Sequence, residues 1–332
     1  MNVWLNKRGV AALVGINAIL LLGALSGIQA AEKIVLKASD VHPLDYPTTQ
    51  GLAKIGELLD DRTNGRIKVQ IFPSGQLGGE RTVLEKGQAG LVDLLRVSVG
   101  PVTSIVPELT VTSLPYIFRN ETHQTKVLDG EIGQELLSKT EPYGLIGLGY
   151  YAAGQRSFYN SKRPIHTLED LKGMKIRVMR AGIFMDMVRA LGAIPSPMEW
   201  PEVYTGLQTG VIDGAENNYP SYVYSGHFEN AKYYTQDEHL RVPEILLLSK
   251  KTYDKLSPQD QMLIKQAARD SIPFQRRLWA IKVAADLEKA KTSGTQIITD
   301  IDKQPFIDAM KPVYEKHANT LSEWIKRIQA VQ

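Results

Sequence analysis

Between residues 171 and 218 the chain carries an arginine, a tryptophan and an amide whose spacing brings them toward one place. In MKIRV, residues 174–178, apolar and basic residues alternate. Ile176 and Val178 therefore face one way and Lys175 and Arg177 the other, with Arg177 near the carboxyl end of a short strand. The next segment puts Ile183, Phe184, Met187, Val188 and Leu191 on one helix face and reaches Gly192, which suits a left-handed cap. After a proline-rich turn, Pro201 suits the first turn of a second helix, with Val203, Tyr204 and Leu207 inward and Gly210 closing it. Val211 and Ile212 then open a strand that ends in residues 213–218, DGAENN. Open α/β sheets bind ligands beyond the carboxyl ends of their strands, so Arg177 and Asn217 stand where a small ligand is held. Trp200 lies on the turn between them.

The chemistry of these types is recognition of an anion. Arginine donates two parallel hydrogen bonds to a carboxylate and stays charged when desolvated. Asp45, Glu80, Glu216, Asn217 and Asn218 are acceptors or donors for hydroxyl groups, and Trp200 offers an apolar face. Arg96 interrupts the apolar run LVDLLRVSV and is either at a cleft edge or paired in the interior. Catalysis has little support. Asp45 and Glu80 as an acid/base pair on a sugar are the one remnant of an enzymatic reading, and hydroxyl binding explains them as well. The histidines at 42, 123, 166, 227, 239 and 317 lack metal-ligand spacing, and no Gly-x-Ser-x-Gly elbow occurs. The glycine-rich loop 73–80 lacks the Gly-Lys-Ser/Thr ending of a phosphate cradle, so no cofactor and no metal is expected.

The frame around these residues is that of an exported α/β protein. Residues 1–30 read as a signal peptide: Lys7 and Arg8, an apolar run from about Val10 to Leu25, then small or polar residues, with cleavage expected near Ala30. The apolar run is shorter than the roughly 20 residues of a membrane span. Removing Lys7 and Arg8 lowers the formal charge from +3 to +1, too little for a nucleic-acid footprint. The absence of cysteine excludes disulfides and thiolate chemistry, and with export it suits the bacterial periplasm. About 300 residues beyond the leader exceed one comfortable core, so two lobes are expected. Alternation predicts a strand at 67–71, apolar runs predict strands at 145–151 and 242–249, and 33–38 and 296–301 also read as strands. Helices are predicted at 48–62, across most of 120–140, over 258–291 with a kink at Pro273, and in the tail beyond Gln304.

KGMKIRV followed by PSPMEWPEVYTGLQTGVIDGAEN resembles the core signature of substrate-binding proteins of tripartite ATP-independent periplasmic (TRAP) transporters. The resemblance implies that Arg177 clamps a substrate carboxylate, that Asn217 assists, and that Trp200, where phenylalanine is commoner, packs on the ligand. It also implies that Arg156, in a Gly-x-Arg context, reaches the ligand, that His42 and His239 border the cleft, and that the helix after PSGQLGGE lines it. A second likeness, carried by HPLDYPT, PSGQLGGE, EPYGLIGL, RSFYNSKRPI and GAENNYPSY, is to the hexuronate-binding branch, which takes D-glucuronate or D-galacturonate. A C4-dicarboxylate, with Arg96 as its second cation, or 2,3-diketogulonate are the alternatives. The implied architecture is a type II-like, two-lobed periplasmic binding protein with a long kinked helix spanning both lobes. Lobe I would be 32–153 plus about 243–281, and lobe II 154–242 plus about 282–332. A monomer handing its ligand to separate permease subunits is expected.

Overall fold

The computed structural model describes Met1 and residues 33–332. The signal-peptide reading of residues 1–30 lies outside the described residues. Eleven strands run through the described chain: β1 Ile34–Ser39, β2 Ile67–Phe72, β3 Leu94–Ser98, β4 Leu145–Tyr151, β5 Arg156–Asn160, β6 Lys175–Val178, β7 Ile194–Pro197, β8 Gly214–Asn217, β9 Tyr233–Leu240, β10 Glu244–Ser249 and β11 Gln296–Ile298. They form two sheets, one of order β2-β1-β3-β10-β4 and the other β11-β9-β5-β8-β6-β7. In the first, β1 is parallel to β2 and β3, and β10 is antiparallel to β3 and β4. In the second, β6 is parallel to β7 and β8, while β5 is antiparallel to β8 and β9.

Strand composition follows burial. LLRVS of β3 and EILLLS of β10 are buried throughout, as central strands covered on both faces must be. The helix Pro47–Arg62 starts on a proline and packs Leu52, Ile55 and Leu59 against that sheet. Segment 194–197, expected as a turn, is instead strand β7. Its two prolines are tolerated because β7 is the outermost strand. Val211, expected to open a buried strand, is 59% exposed in the turn before β8, and Tyr204 is only half-buried. Strand β9 was not expected, because its inward residues include Thr235, Asp237 and His239, and polar inward positions hide the alternation of a half-buried strand.

The chain passes between the sheets at residues 152–155, at 241–243, and along the helix Pro258–Thr292. Ser257 caps that helix through the Asp260 amide, 3.1 Å away, and the helix runs unbroken through Pro273. Pro273 has no N–H to give the Arg269 carbonyl, so one helical bond is missing there. Along its length Ile264, Ala267 and Ala268 join the core of the first sheet, Trp279 packs with Tyr46 and Ala153, and Ala290 joins the core of the second. Gln275, fully buried, clamps the first passage by donating to the Ala152 carbonyl and accepting from its amide, both at 2.9 Å.

Gly214 lets β8 come close to β5. A Cβ there would lie 2.4 Å from the Tyr159 carbonyl oxygen and 2.7 Å from the Asn160 Cβ. Because the opposing atom is backbone, Gly214→Ala is expected to cost about 1–3 kcal/mol in chemical denaturation. Wild-type stability in that variant would contradict the pairing that places Asn217.

Candidate functional site

One edge of the second sheet gathers its polar residues by strand direction. Arg177 is the third residue of β6 and Asn217 the last of the parallel β8, while Arg156 opens the antiparallel β5, where Ser157 is paired with Asn217. Three side chains from three strands thus emerge at the same edge. Arg156 uses four of its five donors: Nε donates to Glu216 Oε2 at 2.6 Å, Nη2 to Glu216 Oε1 at 2.9 Å and to its carbonyl at 2.8 Å, and Nη1 to Asn217 Oδ1 at 2.8 Å. Burial, the largest influence on Glu216, opposes its charge, but Arg156 and His239 outweigh it and hold the carboxyl at about 2.

Arg177 is different. It is 3% exposed, and its Nε and Nη2 both donate to the Met198 carbonyl, at 2.9 and 2.7 Å. Among the described residues no carboxylate lies within ion-pair distance, and the Trp200 ring lies 5.6 Å from the guanidinium carbon. Burial lowers its pKa, only partly offset by Glu216, and an arginine still keeps its charge. This guanidinium faces the cleft with donor capacity left over.

The opposite wall comes from the first sheet by the same logic. The chain after β1 supplies Asp40, Val41 and His42, β3 supplies Arg96 and Ser98, and β10, antiparallel, begins with Glu244 opposite Ser98. Glu80 is the first residue of the helix Glu80–Ala89. Arg96 is 1% exposed and forms a double bond-pair with Asp40, Nε to Oδ2 at 2.9 Å and Nη2 to Oδ1, while Nη1 is shared by Glu80 Oε1 at 3.2 Å and Glu244 Oε2 at 2.5 Å. For Asp40 burial raises the pKa, yet Arg96 and His42 hold it well below the usual carboxylate range. Burial wins for Glu80 and Glu244, which are both pushed up despite Arg96.

A cavity of about 30 Å³ separates the walls, lined by Val41, His42, Glu80, Arg96 and Ser98 on one side, Arg156, Arg177, Met179, Trp200, Asn217 and Ser221 on the other, and Glu244. The walls touch around it. Tyr46 Oη lies 3.0 Å from Ser221 Oγ, the His42 and Trp200 rings are 6.0 Å apart, and a Cβ on Gly79 would meet Glu199 Oε2 at 2.5 Å.

Of the residues singled out from sequence, Arg177, Arg156, Asn217, Trp200, Glu80, His42 and Arg96 meet at this cavity. Four do not line it. Asp45 is exposed on the loop after β1, so it makes no pair with Glu80. Asn218 caps the helix Tyr219–Tyr224 through the Ser221 amide and donates to the Ala153 carbonyl, which uses both ends of its amide. Glu216 and His239 are buried behind Arg156, with His239 Nδ1 2.7 Å from Asp237 and Nε2 3.5 Å from Glu216. Arg96 is both interior and at the cleft, and its charge is already compensated, so it is not the free second cation of a dicarboxylate site. Sequence reasoning missed Val41, Ser98, Met179, Ser221 and Glu244. Only Glu244 left a signal, an acid at the head of an apolar strand. Among the described residues no cluster of metal-ligating side chains occurs and no helix is long and apolar enough to cross a membrane.

The chain as a whole is similar to known proteins. Residues 38–321 match the family described as bacterial extracellular solute-binding protein, family 7. A TRAP periplasmic solute-binding protein from a Bradyrhizobium species, solved in complex with α/β-D-galacturonate, is 46% identical over 89% of this chain and 99% of its own, with a TM-score of 0.87. One from Pseudomonas putida with bound D-glucuronate is 43% identical over 90% and 98%, with a TM-score of 0.88. The C4-dicarboxylate-binding periplasmic protein of Rhodobacter capsulatus is 32% identical over 98% of each chain.

The His239 cluster has a pH signature. Burial, the largest influence, lowers its pKa, but Asp237 and Glu216 overcome it and push the imidazole up to about 9, from an ordinary 6.5. A raised value means that the ion pairs stabilise the fold fully below pH about 6.5 and are lost as pH rises through about 9. The stability advantage of wild type over His239→Gln, measured by denaturation, should therefore shrink across that window. An advantage independent of pH would contradict the charged pair.

Proposed function

The chain belongs to bacterial extracellular solute-binding protein family 7, the solute-binding component of TRAP systems, and within that family we propose that its cleft captures a hexuronate, D-glucuronate or D-galacturonate, for a membrane permease. The observation that carries this reading is Arg177, a buried guanidinium with no carboxylate of its own, facing a wall of acids. A hexuronate complements both sides. Its carboxylate meets Arg177, with Asn217 and Arg156 beside it, and its hydroxyls meet Glu80, Glu244 and His42. Trp200 supplies a flat face for the ring CH groups. The two related proteins solved with galacturonate and glucuronate support the assignment.

Charge-assisted hydrogen bonds contribute roughly 1.5–3 kcal/mol each, so a bidentate contact to Arg177 supplies about half of a micromolar affinity of about 8 kcal/mol. The remainder comes from hydroxyl contacts and closure. On this reading 32–153 with about 243–281 forms one lobe and 154–242 with about 282–332 the other, hinged where the chain passes between the sheets. The ligand favours the closed arrangement because it touches both walls. A signal peptide over residues 1–30 would deliver the protein to the periplasm, where it acts as a monomer on separately encoded permease subunits.

Titration calorimetry with D-galacturonate and D-glucuronate tests the assignment. Arg177→Ala is expected to weaken binding by about 2–5 kcal/mol, and Arg177→Lys, which keeps charge but not the fork, by less. Unchanged affinity in Arg177→Ala would remove the basis of the reading.

A further inference from the structure

The two walls of the cleft are unequal in charge. On the second-sheet side Arg156 is neutralised by Glu216, which leaves Arg177 as a single uncompensated cation. On the first-sheet side one arginine faces three acids, Asp40, Glu80 and Glu244. Asp40 is consumed in the interior, by Arg96, by the His42 amide at 2.9 Å and by Thr48 Oγ1 at 2.7 Å. The two glutamates are half used. Glu80 takes Arg96 and the Ser98 amide on Oε1 alone, and Glu244 takes Arg96 on Oε2 alone. Their other oxygens, Glu80 Oε2 and Glu244 Oε1, accept from no group among the described residues, although the side chains are buried and both line the cavity.

We propose that Glu80 and Glu244 restrict this cleft to ligands with one carboxylate. Their free oxygens accept hydroxyl donors at the end of the ligand remote from Arg177 and repel a second carboxylate there. The inference rests on the hexuronate reading and assigns which residues enforce it. Two carboxylates that share one guanidinium nitrogen in a buried site do not both ionise freely. Even with one of them protonated, Asp40, the remaining carboxylate and Arg96 leave one net negative charge. A hydroxyl satisfies that charge by donating, whereas a carboxylate brings like charge and no proton. Selection of this kind works by penalising the wrong ligand rather than by adding contacts to the right one.

The isosteric variants Glu80→Gln and Glu244→Gln remove charge and keep shape. Calorimetry on wild type and both variants compares D-galacturonate with D-galactarate, the same carbon skeleton with a carboxylate at each end. Wild type should prefer galacturonate by about a hundredfold or more, and at least one variant should narrow that preference by about tenfold or more. Melting curves check that each variant folds, and either variant suffices if the other does not. A preference that narrows by less than tenfold in every folded variant, or a wild type that binds both acids alike, overturns the inference while leaving the hexuronate reading intact. A wild type that fails to bind galacturonate at all counts against the hexuronate reading itself.

Discussion

A guanidinium withdrawn from water needs acceptors, and Arg177 has one carbonyl oxygen and the face of an indole. Leaving a buried charge short of partners is costly to a fold. It is sustained here because Arg177 sits near a strand end and lines the cavity with its remaining donors. Arg156, two strands away, is far better satisfied, with Glu216 on two nitrogens and Asn217 on the third. Most of the donors of Arg156 are thereby committed to fixing Asn217 and Glu216 in place.

The constraint that makes this arrangement possible is topological. In each sheet an antiparallel strand enters at the edge where parallel strands leave, so residues from both kinds of end converge. In the second sheet that brings Arg156 of β5 beside Asn217 of β8, and in the first it brings Glu244 of β10 opposite Ser98 of β3. The long helix ties the two sheets by packing successive stretches against the first core, the passage and the second core. Both edges then face each other across one cleft, with a positive end and a negative end.

The legible part of the site was the part written locally. Arg177, Trp200 and Asn217 fall within one continuous stretch, where alternation in β6 and the boundaries of two helices fix their direction. The rest depends on partners far away in sequence. Whether Arg96 is a free cation cannot be read from LVDLLRVSV, because the acids that neutralise it lie 56, 16 and 148 positions away. Asn218 is chemically as good a ligand as Asn217, and only the helix beginning at Tyr219 shows that its amide is spent on a cap. The fold shows the same division. Core strands such as β3 and β10 follow from composition, whereas β7 hides behind prolines that only an edge position permits, and β9 behind polar residues turned inward.

The central claim is that a lone anion slot, not a sugar shape alone, governs recognition. It is tested most directly by titrating the wild-type protein with D-galacturonate and with D-galactose, which differ at one carbon in carrying a carboxylate or a hydroxymethyl group. The account predicts that the acid binds about two to four orders of magnitude more tightly, because the neutral sugar leaves Arg177 without its partner. Comparable affinities for the two sugars would contradict it.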